Sequence, residues 1–237
     1  MDEQAATVVQ FPHPGAEHNP RADDVPWNVD AHRRKFLRCP GRYVDADNEL
    51  HDAEVVFWGE WEAPSRVERR WPACGQLPRA LHWPHWIRPT ADGFRQNTDP
   101  WVFGDHMFYS NCKQIVGPDR LRTSMQDLPI GSFLCFGSTI DHEFCLDTVF
   151  VVASSQPWTP AEIDDLDVDD AFAVCTAASI IAGGTDAHAR FALYRGASIG
   201  NPVHGTYSFV PALPAGENGP RFARPAIRLP RLVLRLS

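Results

Sequence analysis

The chain contains no apolar run of about 18 residues or more, the length a membrane-crossing helix needs, so no membrane span is expected. It has no GxxxxGK[ST] and no GxGxxG, so neither a P-loop nor a dinucleotide fingerprint is signalled. It also lacks any CxxC pair: the six cysteines stand at 39, 74, 112, 135, 145 and 175. At 237 residues a chain with so few thiols does not depend on a disulfide scaffold, and buried, reduced thiols are expected. The first residues, "MDEQAATVVQFPHPG", start with two acids and show no basic n-region ahead of an apolar h-region. No secretory leader is expected, and a cytoplasmic location is the simplest reading. Nor is there a basic excess. The formal charge of −8 argues against a wholly basic nucleic-acid binder. Charge is unevenly placed, however: acids crowd "EIDDLDVDD" (162–170), while the last 17 residues hold five Arg and no acid. Nucleic acid thus stays open as a partner through a local patch, although a charged, edge-protecting strand accounts for that terminus equally well.

What is present is ordinary in bulk and unusual in detail. A hydrophobic fraction of 43% and a charged fraction of 22% describe a globular protein. Twenty-one prolines and eight tryptophans predict many short strands joined by ordered loops, because proline interrupts helices and central strands. Residues 1–30 read as a flexible lead-in with little periodicity, and 31–237 as a single globular β-rich domain. "HDAEVVFWGEWEAPS" (51–65) is the first clear strand. The prolines of 69–93 speak against a long helix or a central strand there. "GSFLCFGS" and "LDTVFVVAS", flanking the polar turn "TIDHE", form the best hairpin candidate. A helix is expected from Thr159, with Pro160 beside it, acids in the early turns and Gly183-Gly184 as a stop; it could be broken in two. "RFALYRGAS", "HGTYSFVPAL" and "IRLPRLVLRL" read as further strands. The fold class that follows is α+β, predominantly β: a mixed or partly closed β-barrel with one or two appended helices, with a β-sandwich as the alternative.

Two stretches concentrate the chemistry. In "FWGEWE" (57–62), strand alternation puts Trp58, Glu60 and Glu62 on one face and Phe57, Gly59 and Trp61 on the other. A tryptophan face beside a carboxylate suits a nucleobase or a cationic ligand; core tryptophans with solvated glutamates are the plainer account. In "NTDPWVFGDHMFYSNCKQ" (97–114), Asn97, Thr98 and Asp99 form a turn, Asp105 and His106 follow a bend at Gly104, and a strand puts Phe108, Ser110 and Cys112 opposite Tyr109, Asn111 and Lys113. Whichever face is inward carries a polar group into the fold, so a polar network or a ligand is expected. As ligand-binding residues this reading names Trp58, Glu60, Trp61, Glu62, Asn97, Thr98 and Tyr109. As catalytic candidates it names Asp99, Asp105, His106, Cys112 and Lys113, with the ammonium of Lys113 lowering the Cys112 thiol and His106 or His142 as its base. His82 with His85, and His142 with Cys145, have a spacing zinc accepts, yet the pairs are unlike each other and no metal is assigned. Asp141, Glu143 and Asp147 around the hairpin are a further carboxylate group able to do acid–base work or hold a divalent ion.

"NTDPWVFGDHMFYSNCKQ", followed by "LPIGSFLCFGS" and "LDTVFVV", resembles the strand-rich nucleotide-modification-associated domains found beside DNA-modification enzymes of bacteria and their phages. It is also similar to the PUA-like barrel group. The resemblance covers residues 55–155, matches no family motif position by position, and transfers no functional residue. It implies a pocket that recognises a base or nucleotide, with or without chemistry on it. Three functions are therefore expected in turn: recognition of a nucleobase, modified base or nucleotide; a hydrolase or transferase using Cys112 or the Asp/His groups of 99–106; and a non-catalytic interaction scaffold. No cofactor is indicated, and the oligomeric state is left open.

Overall fold

The structure is a computed structural model and describes residues 5–13, 15–20, 33–85, 97–116, 121–182, 184–216, 222–228 and 234–235. Its strands are β1 (Val8–His13), β2 (Arg34–Val44), β3 (Leu50–Glu60), β4 (Ser65–Arg70), β5 (Ala80–Pro84), β6 (Phe108–Tyr109), β7 (Ile115–Val116), β8 (Leu121–Arg122), β9 (Phe133–Ile140), β10 (Glu143–Trp158), β11 (Phe191–Gly196), β12 (Ala212–Pro214), β13 (Ala226–Ile227) and β14 (Leu234–Arg235). The larger sheet runs β14-β1-β9-β10-β11-β6, with β13 also pairing β10; the smaller runs β12-β3-β2-β5-β4; β7 and β8 make a separate ribbon. β1 lies parallel to β14 and β9, and β2 parallel to β5, while the other pairs are antiparallel. Among the described residues the fold is thus predominantly β and mixed, with open sheets and short helical segments.

The long antiparallel pair of β2 and β3 keeps an unbroken register from Arg34↔Glu60 to Val44↔Leu50. Alternation sends Leu37, Cys39, Val55 and Phe57 into the core between the sheets. Phe36, Val56 and Trp58 go to the opposite face, where Trp71 and Phe222 cover them. Both faces being buried explains why this part of β3 reads as a continuous apolar run, "VVFW", rather than as alternation. The hairpin of β9 and β10 turns on Asp141 and His142, both at positive φ (50° and 68°), as a two-residue primed turn requires.

Three expectations are corrected. The lead-in contains β1, an interior strand of the larger sheet with Val9 and Phe11 fully buried; six residues ending in "FPH" are too short a pattern to stand out. The proline-rich region supplies β5, which sits between β2 and β4, because Pro84 is its last residue and interrupts nothing beyond it. The strand expected through Lys113 stops at Tyr109, and 111–114 turn instead. Residues 21–32 and 86–96 lie outside the described residues, as do 229–233 of the expected C-terminal strand.

Beyond β10 the chain does break into short helical pieces. Pro160–Asp165 is 3₁₀, Asp170–Phe172 is α, Ala173–Ala178 is π, and Ser179–Ala182 is α. Thr159 N–H donates to Glu162 Oε2 at 3.0 Å, and Phe172 N–H donates to Asp169 Oδ1 at 2.7 Å, so an acid closes the start of the first two pieces. Phe172, Val174, Cys175, Ala177 and Ile180 bury against Trp101, Phe108 and Trp158.

Candidate functional site

The β2–β3 register brings Arg34, the first residue of β2, opposite Glu60, the last of β3. Arg34 Nη1 donates to Glu60 Oε2 at 2.9 Å, and its Nε donates to Asp147 Oδ2 on β10 at 2.7 Å, so one guanidinium ties the two sheets together. His13 Nδ1, at the end of β1, lies 2.6 Å from the same Glu60 oxygen. Arg224 stands 3.9 Å from Asp147, donates to Gly15 O at 2.7 Å and rests 4.5 Å above the Trp58 ring. Next to Arg34, Lys35 donates its Nζ to Ala63 O at 2.8 Å. Two residues past β3, Glu62 Oε2 accepts from the Asn97 backbone N–H at 2.6 Å. Asn97 and Asn111 then pair their side-chain amides reciprocally at 2.8 and 3.1 Å. Asp99 accepts from the backbone N–H of Ser110 (2.8 Å), Asn111 (3.0 Å) and Cys112 (2.7 Å), pinning the two ends of this stretch together.

None of Arg34, Lys35, Glu60, Glu62, Asp99 and Asp147 is more than 6% exposed. Buried charge is costly unless paired and hydrogen-bonded, and a packed apolar core would hold two sheets together as well or better. Structure alone therefore gives little reason for this polar centre. Asn97, Cys112 and His13 are its half-buried members.

Burial also sets the titration of these groups. It pulls the Lys35 amine down to about 7, against the opposing field of Glu62. It pushes the Asp99 and Asp147 carboxyls above the usual range; hydrogen bonds from the Cys112, Ser110 and Asn111 backbone oppose this at Asp99, and Arg34 and Arg224 oppose it at Asp147. His82, buried beside Lys35, His18 and Arg70, falls to about 3 and keeps a neutral ring, its Nδ1 2.9 Å from Ser65 Oγ.

Of the residues singled out from sequence, Glu60, Glu62, Asn97, Thr98, Asp99 and Cys112 come together here; the Thr98 hydroxyl accepts from Glu62 N–H at 3.4 Å. Contrary to the plainer account, neither glutamate is solvated. Trp58 (2% exposed) and Trp61 (0%) present no open ring face, and their indole N–H groups donate to Phe222 O and Pro64 O. Tyr109 is buried, stacked on Tyr194 at 5.6 Å, with its hydroxyl donating to Cys112 O. Asp105, His106 and Lys113 are exposed and apart from the centre. Opposite to the lowered thiol expected, burial, then Asp99, Glu60 and Glu62, push the Cys112 thiol well up, and Lys113 turns outward at φ 61°. His82 is buried while His85 and His142 are exposed, and among the described residues no three His, Cys, Asp or Glu gather as metal ligands.

Sequence reasoning missed Arg34, Lys35, His13 and Arg224. For Arg34 and Lys35 the signal available was "RRKFL", three cations run directly into apolar residues, which a solvated face does not need. Contrary to a sequence reading that finds no GxSxG, the run "GASIG" from Gly196 to Gly200 has the spacing of a nucleophile elbow. It follows β11 but leads into a turn, where Ser198 Oγ accepts from Asn201 N–H, so the strand–turn–helix context is missing.

Between its two pinned ends, the stretch 97–112 leaves the polar centre and its loop 102–107 reaches two surface clefts. One, of about 470 Å³, is lined by Tyr43, Phe57, Phe103, Tyr207, Phe209 and Arg42, among others. The other, of about 600 Å³, lies between Phe103–Phe108 and Asp167–Ala171. No protein-family model, curated protein or solved structure matches this chain.

Proposed function

We propose that the protein recognises a nucleobase or nucleotide at the polar centre, approached from the side of Asn97 and Cys112. The observation that carries this reading is the density of buried hydrogen-bonding groups of both kinds where the two sheets meet. The side-chain amides of Asn97 and Asn111, which also donate to Cys112 Sγ and Ser110 Oγ, can exchange their mutual bonds for the donor and acceptor edge of a base, with the Glu62 carboxylate beside them. The stacking role expected of Trp58 and Trp61 is not part of this reading, since both rings are buried.

Chemistry on the bound base is the second reading, and the Lys35 amine favours it. An amine held near 7 beside a carboxylate exchanges a proton at neutral pH, as a general acid or base must. Thermal-shift measurements against nucleosides, nucleotides and short single-stranded DNA and RNA test the proposal. A ligand that binds only the folded state stabilises it by about 2.7 kcal/mol at a hundredfold excess over Kd. The expected result is a shift with one nucleotide class that Asn97→Ala abolishes. No shift across the panel at saturating concentration, or one that Asn97→Ala leaves intact, would remove the reading.

A further inference from the structure

The 470 Å³ cleft is separate from the polar centre. Along β2, Lys35 of the centre and Cys39 of the cleft wall stand four residues, about 13 Å, apart. Leu37, between them on the strand, and Trp61 pack in one buried cluster with the cleft-wall residues Phe57 and Phe103. Its volume falls in the range of small-molecule sites, about 300–1,000 Å³. Aromatic rings of Tyr43, Phe57, Phe103 and Tyr207 wall it, and Leu50, Ile199 and Phe209, at 48%, 38% and 43% exposure, stand around its opening. Large apolar side chains left in water and gathered at one concavity are the mark of a ligand groove.

The charged part of this cleft is a mixed pair. Arg42 and Asp105 face each other there at 3.8 Å, with side chains 48% and 90% exposed. That separation is beyond hydrogen-bonding range, so the five guanidinium donors and the carboxylate acceptors are not spent on each other. A planar ring seated against the aromatic walls would meet a donor fork and a two-oxygen acceptor side by side. The ring edge that answers both has a carbonyl oxygen next to two adjacent N–H donors: the oxygen accepts from Arg42 and the N–H pair donates bidentately to Asp105. Guanine has that edge. Hypoxanthine lacks the second donor, and adenine has neither the carbonyl nor the ring N–H.

We propose that the cleft beside loop 102–107 is a second binding site, taking a guanine-type ring read by Arg42 and Asp105. The proposal is independent of the polar centre, and the test keeps the two apart. Equilibrium dialysis of the full chain against guanosine, inosine, adenosine and xanthosine would be run on wild type, Arg42→Gln, Asp105→Asn and Asn97→Ala. Guanosine is expected to bind about tenfold tighter than inosine or adenosine, in line with the discrimination of one bidentate pair. Asp105→Asn should erase that preference and improve xanthosine, whose second carbonyl accepts from the new amide. Arg42→Gln should weaken every oxo-purine, and Asn97→Ala should change nothing at this site. Because Arg42 and Asp105 are exposed, unchanged melting temperatures are expected for both variants and verify folding. Absence of guanosine binding, equal affinity for all four nucleosides, or a preference that survives Asp105→Asn would overturn the proposal. Binding lost in Asn97→Ala but kept in Asp105→Asn would also overturn it, by assigning the nucleoside to the polar centre.

Discussion

At the scale of single residues, Lys35 is the most consequential buried group, because desolvation takes its amine from 10.5 to about 7. The folded chain therefore binds fewer protons than the unfolded chain between about pH 7 and 10.5, and stability attributable to Lys35 rises with pH across that window. Below 7 both states are protonated and the full cost of the buried ammonium is felt. We expect the stability of wild type to climb relative to Lys35→Met as pH goes from 7 to 10, in urea titrations at fixed ionic strength. A flat difference would mean that the amine is not desolvated in the folded protein. Sequence alone could nominate Glu60, Glu62, Asn97 and Asp99, because they interrupt aromatic runs and a polar group there is carried inward. Lys35 could not be nominated in the same way, since a cation beside a strand start is usually solvated and only the register with β3 encloses it.

At the scale of elements, the β9–β10 hairpin is the clearest case of local sequence dictating local structure. Two apolar runs separated by a polar turn pair as expected, and packing makes the register exacting: a Cβ on Gly137 would stand 2.2 Å from the Cys145 carbonyl oxygen. The turn itself is not optimal, since His142 holds φ 68° without being glycine. Replacing it by glycine should stabilise the protein by about 1 kcal/mol, the cost of a left-handed conformation for a residue with a side chain. Thermal unfolding of His142→Gly checks this, and a lowered melting temperature would show that the imidazole contributes more than its backbone costs. β1 and β5 were harder to read for a physical reason. Each is short, each carries a proline, and each owes its place to neighbours distant in sequence, β9 at 133–140 and β2 at 34–44.

At the scale of the whole molecule, the Arg34 guanidinium holds the sheets in register through Glu60 of one and Asp147 of the other. Burial works against its charge, and the two carboxylates more than offset that, so the guanidinium stays protonated. Arg34→Met would leave two buried carboxylates short of a cation, with Arg224 and His13 as the remaining neighbours. Breaking a buried pair in this way costs about 3–5 kcal/mol. Urea unfolding of Arg34→Met should show a loss of that size with an unchanged m-value; a loss under about 1 kcal/mol would mean that apolar packing alone sets how the sheets meet.

Composition and local pattern settled the β-rich class, the main hairpin, the broken helical region after Thr159, and the stretch 97–112 as the place where polar and aromatic groups meet. These are short-range properties, fixed by alternation, proline placement and caps. Which of those groups touch was decided by tertiary structure. The packing of one sheet on the other brings Asp147 to Arg34, 113 residues away in the chain, and the turn at 111–114 points Lys113 away from Cys112. Burial then determines what each group can do, raising one thiol out of reach and lowering one amine into it, because desolvation depends on everything packed around a charge and on nothing that can be read beside it in the chain.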